Sequence, residues 1–163
     1  REREAVAVAG ALGATHECWR YPTRGIPLDA GATDRLRAVV ARVRPQAIIL
    51  PFVADDHPDH RQTALLFAAS YRDTAPDAEV WAYQVYAGIR PTIVVDITDV
   101  MDEKLRLVRR WESQRAKRDW AHYIQGMNAM YCRFLRTNAA RYAEAFIVMP
   151  AAEYITLCVQ EPV

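Results

Sequence analysis

Long apolar runs are missing from this chain of 163 residues. No stretch approaches the roughly 18 residues that a membrane-spanning helix needs. An excess of one charge is missing too, since 21 basic and 20 acidic residues leave a formal net charge of +1. That balance removes the electrostatic reason to expect a nucleic acid or a membrane as partner. Cysteine is scarce: Cys18, Cys132 and Cys158 are odd in number, widely spaced and form no CxxC pair. They read as buried thiols in a reducing, cytoplasmic compartment. There is no glycine-rich phosphate loop, and Ser113 has neither a nearby histidine nor a GxSxG elbow, so serine-hydrolase chemistry has little support. An initiator Met and a signal-peptide pattern are also absent. Arg1-Glu2-Arg3-Glu4 reads as a helix already in progress, and the chain is expected to be truncated at its N-terminus.

What is present fits one soluble globular domain, residues 1–163. Apolar residues make up 52% and charged residues 25%, enough to bury a core and too apolar for a disordered segment. The spacing predicts a short helix over 1–12 closed by Gly13 and a short strand from His16 to Tyr21. A helix capped by Thr33 or Asp34 follows, with Leu36, Val39, Val40 and Val43 as its stripe. Ala47 to Phe52 is continuously apolar, as in a strand covered on both faces of a parallel sheet. A helix begins at Pro58, where the missing N–H costs nothing, and runs to about Tyr71. Val80–Val85 and Thr92–Ile97 read as strands. Helices are expected after Thr98 or Asp99, including Leu105, Val108 and Trp111, and over roughly 119–141. Phe146–Met149 and Tyr154–Val159 read as final strands. Strands and helices alternate through the first half, which favours βαβ units and a parallel sheet.

The chemistry concentrates where the apolar strand stops, at Asp55-Asp56-His57-Pro58-Asp59-His60-Arg61. Open α/β sheets bind ligands just beyond the carboxyl ends of their strands. With Pro58 as the first helical residue, His57 is the N-cap and His60 lies in the first turn. His60 is the better metal-ligand candidate because the helix fixes its direction. His57 is then free to donate a proton or to steady an oxyanion. Asp56 and Asp59 can orient an imidazole through its second nitrogen, although Asp59 also suits a helix N-terminus on electrostatic grounds alone. The plainer alternative is a capped helix with exposed histidines. His16, His122 and the acids Asp96, Asp99, Asp102 and Glu103 read as strand, helix-surface and capping residues.

The ordered motifs resemble the LmbE-like, or PIG-L, family of metal-dependent N-deacetylases. Arg1-x-x-Glu4 with Ala11-Leu12-Gly13 looks like its R-x-x-E…A-x-x-L-G helix. Asp56-His57-Pro58-Asp59-His60-Arg61 looks like its second active-site motif. Trp81-x-Tyr83, Val95-Asp96-Ile97-Thr98, Lys104, Ser113-Gln114 and Tyr142-Ala143-Glu144-Ala145-Phe146 follow in the family's order. The resemblance implies a Rossmann-like α/β fold with a mostly parallel sheet flanked by helices. It implies a Zn²⁺ cofactor with His60 as ligand, His57 assisting at the tetrahedral intermediate, Asp59 tuning or orienting His57, and Arg1 contacting sugar hydroxyls. The substrate class it implies is an N-acylated, typically N-acetylated, amino sugar or glycoconjugate. In such sites an open zinc position polarises the carbonyl and activates water.

Two departures stand out. Pro22-Thr23-Arg24 replaces the family's Pro-Asp, which removes an acidic substrate contact. The A-H-P-D-D-E motif, which supplies two ligands and the general base, does not occur, so the first βα unit or units are expected to be absent. The chain alone is then expected to bind zinc weakly and not to turn over. Its open apolar sheet edge is expected to make it self-associate, as in a homo-oligomer, or be poorly soluble unless another chain covers that edge. The rival readings are a degenerate, non-catalytic binding member of the same family, and another α/β hydrolase in which HxxH is structural.

Overall fold

The structure is a computed structural model and describes residues 1–86 and 88–160. Its backbone elements are α1 (Glu2–Ala11), α2 (Ala30–Val43), β1 (Ala47–Pro51), α3 (Pro58–Ser70), β2 (Glu79–Tyr83), β3 (Ile93–Asp96), α4 (Met101–Val108), α5 (Glu112–Arg115), α6 (Trp120–Tyr131), β4 (Ala143–Pro150) and α7 (Ala151–Gln160). Short 3-10 turns occupy Thr98–Val100 and Cys132–Phe134. The four strands form a sheet of order β1-β2-β4-β3. β1 and β2 run parallel, with Ile48 opposite Val80, whereas β4 lies antiparallel to β2. The sheet is therefore mixed, with helices around it. The contacts divide the chain into two compact units: Arg1–Arg20 with Val94–Ala145, and Tyr21–Ile93 with the residues from Phe146 onward.

In the unit built on Tyr21–Ile93, β-branched Ile48 and Ile49 make β1 a natural strand. The core combines Leu50, Phe67, Val80, Ala82, Tyr154 and Ile155. Phe67 meets Tyr154 edge-on at 5.9 Å and Tyr71 at 5.2 Å. The Tyr154 hydroxyl, buried in this apolar setting, donates to the Pro51 carbonyl and so ties α7 to the end of β1. Burial pushes the Tyr154 phenol far above its ordinary value and the Cys158 thiol up to about 11. Ile49, 63% exposed, sits on β1, the first strand in the sheet order.

The other unit packs Ile97, Met101, Leu105 and Ala121, with Val108, Ile124 and Tyr142 against them. Beside that core, buried Asn128 donates from Nδ2 to the Ala143 carbonyl at 2.7 Å and accepts from Lys104 Nζ at 2.9 Å. Lys104 also pairs with Glu144. α1 ends as expected, with Gly13 at φ 65° just beyond it.

Several sequence expectations are corrected. Residues 154–159 belong to α7, not to a strand, because Ala151, Tyr154, Ile155 and Cys158 are buried at helical spacing. Residues 16–21 form no strand and run as irregular chain. α6 begins with Asp119 accepting from the His122 N–H but ends at Tyr131, well short of 141. α2 is capped by Asp29, which accepts from Ala32 N–H at 2.9 Å, while the Thr33 hydroxyl bonds to Ala30 instead. Trp111 lies beyond α4. Of the three thiols only Cys158 is buried, and Cys18 is exposed.

Tyr154→Phe leaves the Pro51 carbonyl without its donor and should cost about 1–3 kcal/mol in urea unfolding. Asn128→Ala strips partners from Ala143 and Lys104 in the other unit and should cost a similar amount, about 1–3 kcal/mol. A loss under about 0.5 kcal/mol in either would show that the bond contributes little.

Candidate active site

The turn after β1 is organised by a single buried acid. Pro58 opens α3, and His57 sits before it as N-cap with extended φ −86° and ψ 125°. The usual capping oxygen is replaced by an imidazole: His57 Nδ1 accepts the Asp59 N–H at 3.1 Å. The His57 carbonyl in turn accepts the His60 and Arg61 N–H groups at 3.0 and 3.1 Å, closing the first turn. His60 therefore lies one turn inside a capped helix, half-buried, with its ring aimed back toward the strand end.

Asp55, 0% exposed, lies at the centre. Its Oδ1 accepts the His57 N–H at 2.9 Å and faces His60 Nδ1 at 3.0 Å. Its Oδ2 accepts the Val85 N–H at 3.1 Å, and the Arg61 guanidinium donates to its backbone carbonyl at 2.8 Å. The same carboxylate adds to the burial that raises the Tyr83 phenol above its ordinary range. Sequence reasoning passed over Asp55 in favour of Asp56 and Asp59. Asp56 is exposed. Asp59 meets the His57 ring through its backbone N–H, while its carboxylate accepts the Arg24 N–H at 2.7 Å. The available signal was position: an Asp two residues before the N-cap can fold back on the backbone N–H two residues ahead.

The two imidazoles lie side by side, ring centres 4.8 Å apart and tilted by 34°. The Tyr86 ring stacks on His57 at 5.6 Å and 20°, and reaches His60 at 5.7 Å. The loop over 22–28 is pinned to α3 by the Arg24–Asp59 bond and by Gln62 Nε2 donating to the Ile26 carbonyl at 3.1 Å. Arg24 takes the left-handed conformation, φ 61°, in making this approach.

As a metal site the arrangement is partial. His60 Nδ1 is engaged by Asp55, which leaves its Nε2 as one donor. Among the described residues no group of three or more His, Cys, Asp or Glu side chains can hold a metal ion. These residues by themselves do not fit a zinc ion.

Arg1 belongs to the other unit. There the Glu4 carboxylate accepts the Ser113 N–H at 2.9 Å and its hydroxyl at 2.6 Å, and these bonds hold Glu4 below the usual carboxylate range. With the Gln114 amide oriented to suit its neighbours, its oxygen accepts from Arg1 Nε and Nη2 at 3.0 and 3.2 Å. Arg1, Glu4, Ser113 and Gln114 thus form one polar group, and Ser113 serves Glu4 as a donor.

The pattern of the PIG-L: GlcNAc-PI de-N-acetylase family matches residues 1–71. The diacetylchitobiose deacetylase of Thermococcus kodakarensis is 26% identical over 149 residues, covering 82% of this chain. The chain spans only 55% of that relative's length. Among solved structures, a conserved protein of Thermus thermophilus superposes with a TM-score of 0.77 at 21% identity, over 91% of this chain and 73% of its own. The N,N'-diacetylchitobiose deacetylase of Pyrococcus horikoshii, solved with an inhibitor, gives 0.75 at 24%, over 94% and 64%. A deacetylase triple mutant involved in the teicoplanin biosynthetic pathway gives 0.69 at 15%, over 91% and 70%. At such identities these structures establish the shared fold. The chain is thus similar to the PIG-L family over its first 71 residues and shares the fold of these deacetylase structures along most of its length.

Proposed function

We propose that this chain is the part of an N-deacetylase that carries the charge-stabilising half of its active site. The intact enzyme removes an N-acyl, typically N-acetyl, group from an amino sugar or glycoconjugate. The observation that carries this reading is the pair of imidazoles, His57 and His60, set 4.8 Å apart at the first turn of α3, beyond the carboxyl end of a parallel strand. Support comes also from the Thermococcus kodakarensis relative, which is named a diacetylchitobiose deacetylase.

In this reading His57 is the catalytic residue. Its Nδ1 is committed to the Asp59 N–H, so its Nε2 is the nitrogen that faces substrate. From there it donates to the amide oxygen as negative charge builds on it, as the donors of an oxyanion hole do. The first turn of α3 adds a positive local potential from its aligned peptide dipoles. Asp59 keeps the ring in place through its backbone N–H. Arg1 is the proposed contact to sugar hydroxyls. The proposed cofactor is Zn²⁺, with His60 as one ligand and the remaining ligands supplied from outside the described residues.

The test is release of free amine from N,N'-diacetylchitobiose by the full-length protein that contains this chain. His57→Ala should lower kcat about 10²–10³-fold with KM little changed. His60→Ala should lower both zinc content and turnover. This chain alone should release no amine, with or without added Zn²⁺, and turnover by it would overturn the half-site reading. A full-length protein that binds the sugar without releasing amine would instead be a non-catalytic binding member.

A further inference from the structure

We infer that Asp55 is a positioning residue that holds His60 in the tautomer opposite to that of His57, so that one ring turns a lone pair outward and the other an N–H. The functional meaning of this pairing rests on the hydrolase reading above, but the tautomers themselves follow from contacts within the chain. Both Asp55 oxygens already receive backbone N–H groups, Oδ1 from His57 at 2.9 Å and Oδ2 from Val85 at 3.1 Å. The oxygen that faces His60 Nδ1 at 3.0 Å is therefore an acceptor, and Nδ1 is the protonated nitrogen. The lone pair of neutral His60 then sits on Nε2.

His57 is fixed the other way. Its Nδ1 receives the Asp59 N–H at 3.1 Å, and a backbone N–H can only donate. Neutral His57 therefore carries its proton on Nε2. The two rings share one turn of helix, yet one offers an acceptor and the other a donor on its outward side. A ring flip at either position would break one of these bonds, leaving the Asp59 N–H or buried Asp55 short of a partner, which is costly for a buried group.

The same carboxylate also places the third ring. Val85, held by Oδ2, directly precedes Tyr86, whose ring lies 5.6 Å from His57 and 5.7 Å from His60. Asp55 thus joins the start of α3 to the segment after β2 and keeps the aromatic cover over both imidazoles.

Long-range ¹H–¹⁵N correlation spectra of the chain, with no metal added and at a pH where the imidazoles are neutral, test this directly. The expected result is an Nδ1–H pattern for His60 and an Nε2–H pattern for His57. Asp55→Asn, which keeps an oxygen facing His60, should preserve the His60 pattern. Asp55→Ala should move His60 to the Nε2–H form that free imidazoles favour, with His57 unchanged because its anchor is Asp59. An Nε2–H pattern for His60 in the unaltered chain overturns the assignment, as does an Nδ1–H pattern persisting in folded Asp55→Ala. Should circular dichroism show that Asp55→Ala does not fold, the unaltered chain and Asp55→Asn decide, since an Nε2–H form in either one overturns the proposal. Loss of the hydrolase reading in the amine-release assay would leave these spectra unaffected, so the two failures are distinguishable.

Discussion

A carboxylate with no exposed surface must be met by donors, and the way Asp55 is met organises the whole strand-to-helix turn. An unpaired buried charge costs several kcal/mol, so its surroundings are fixed by its needs. Three donors converge on its two oxygens: the His57 N–H at the N-cap of α3, the His60 imidazole in its first turn, and the Val85 N–H beyond β2. Arg61 anchors the same residue through its carbonyl. The bonds come from both ends of the capped turn and from the neighbouring parallel strand's exit. Displacing any one of these segments strands a buried acceptor, and the histidines inherit their rigidity from that penalty.

The core below supports this geometry from the other direction. β1 stops at Pro51, whose carbonyl is taken by the buried Tyr154 hydroxyl of α7, and Phe52 then donates to the Tyr83 carbonyl at 2.7 Å. The strand end is thus held from the α7 side and from β2 before the chain reaches Asp55. Apolar packing of Leu50, Phe67 and Val80 places the turn, and polar bonding orients the side chains on it. The same division of labour appears in the other unit, where the Met101–Leu105 core lies beside the Lys104–Asn128–Glu144 network.

Much of this was legible in the chain, and the failures have physical reasons. Continuous apolar character marked β1, and His57-Pro58 marked the start of α3, because a proline at the first helical position and a cap before it are local effects. Tyr154–Val159 misled because β-branched and aromatic residues favour strands in isolation. The 3.6-residue spacing of Ala151, Tyr154, Ile155 and Cys158, which decides for helix, shows only when the window extends back to Ala151. β4 was recognisable as a strand, but its antiparallel pairing with β2 depends on where the chain returns, which no local pattern encodes. Asp55 was overlooked for a similar reason: two of its three donors are local, but the contact that closes its shell, Val85, lies 30 residues away. Asp59 drew attention by adjacency, yet its carboxylate serves Arg24.

On the proposed reading, the parts this chain contains differ in kind from those that activate a nucleophile. A nucleophile needs a base and a source of activated water. Developing negative charge needs fixed donors in a low-dielectric setting. In the proposed reading the described residues serve the second of these requirements, with an N-cap imidazole whose inner nitrogen is committed, the N-terminus of α3, and an aromatic ring beside both imidazoles. His60 is oriented by a buried carboxylate, the arrangement that fixes ring direction and raises basicity where an imidazole serves as a ligand. On the proposed reading, the opening of α3 is a pre-formed wall, and the water, the base and the remaining ligands come to it from other groups.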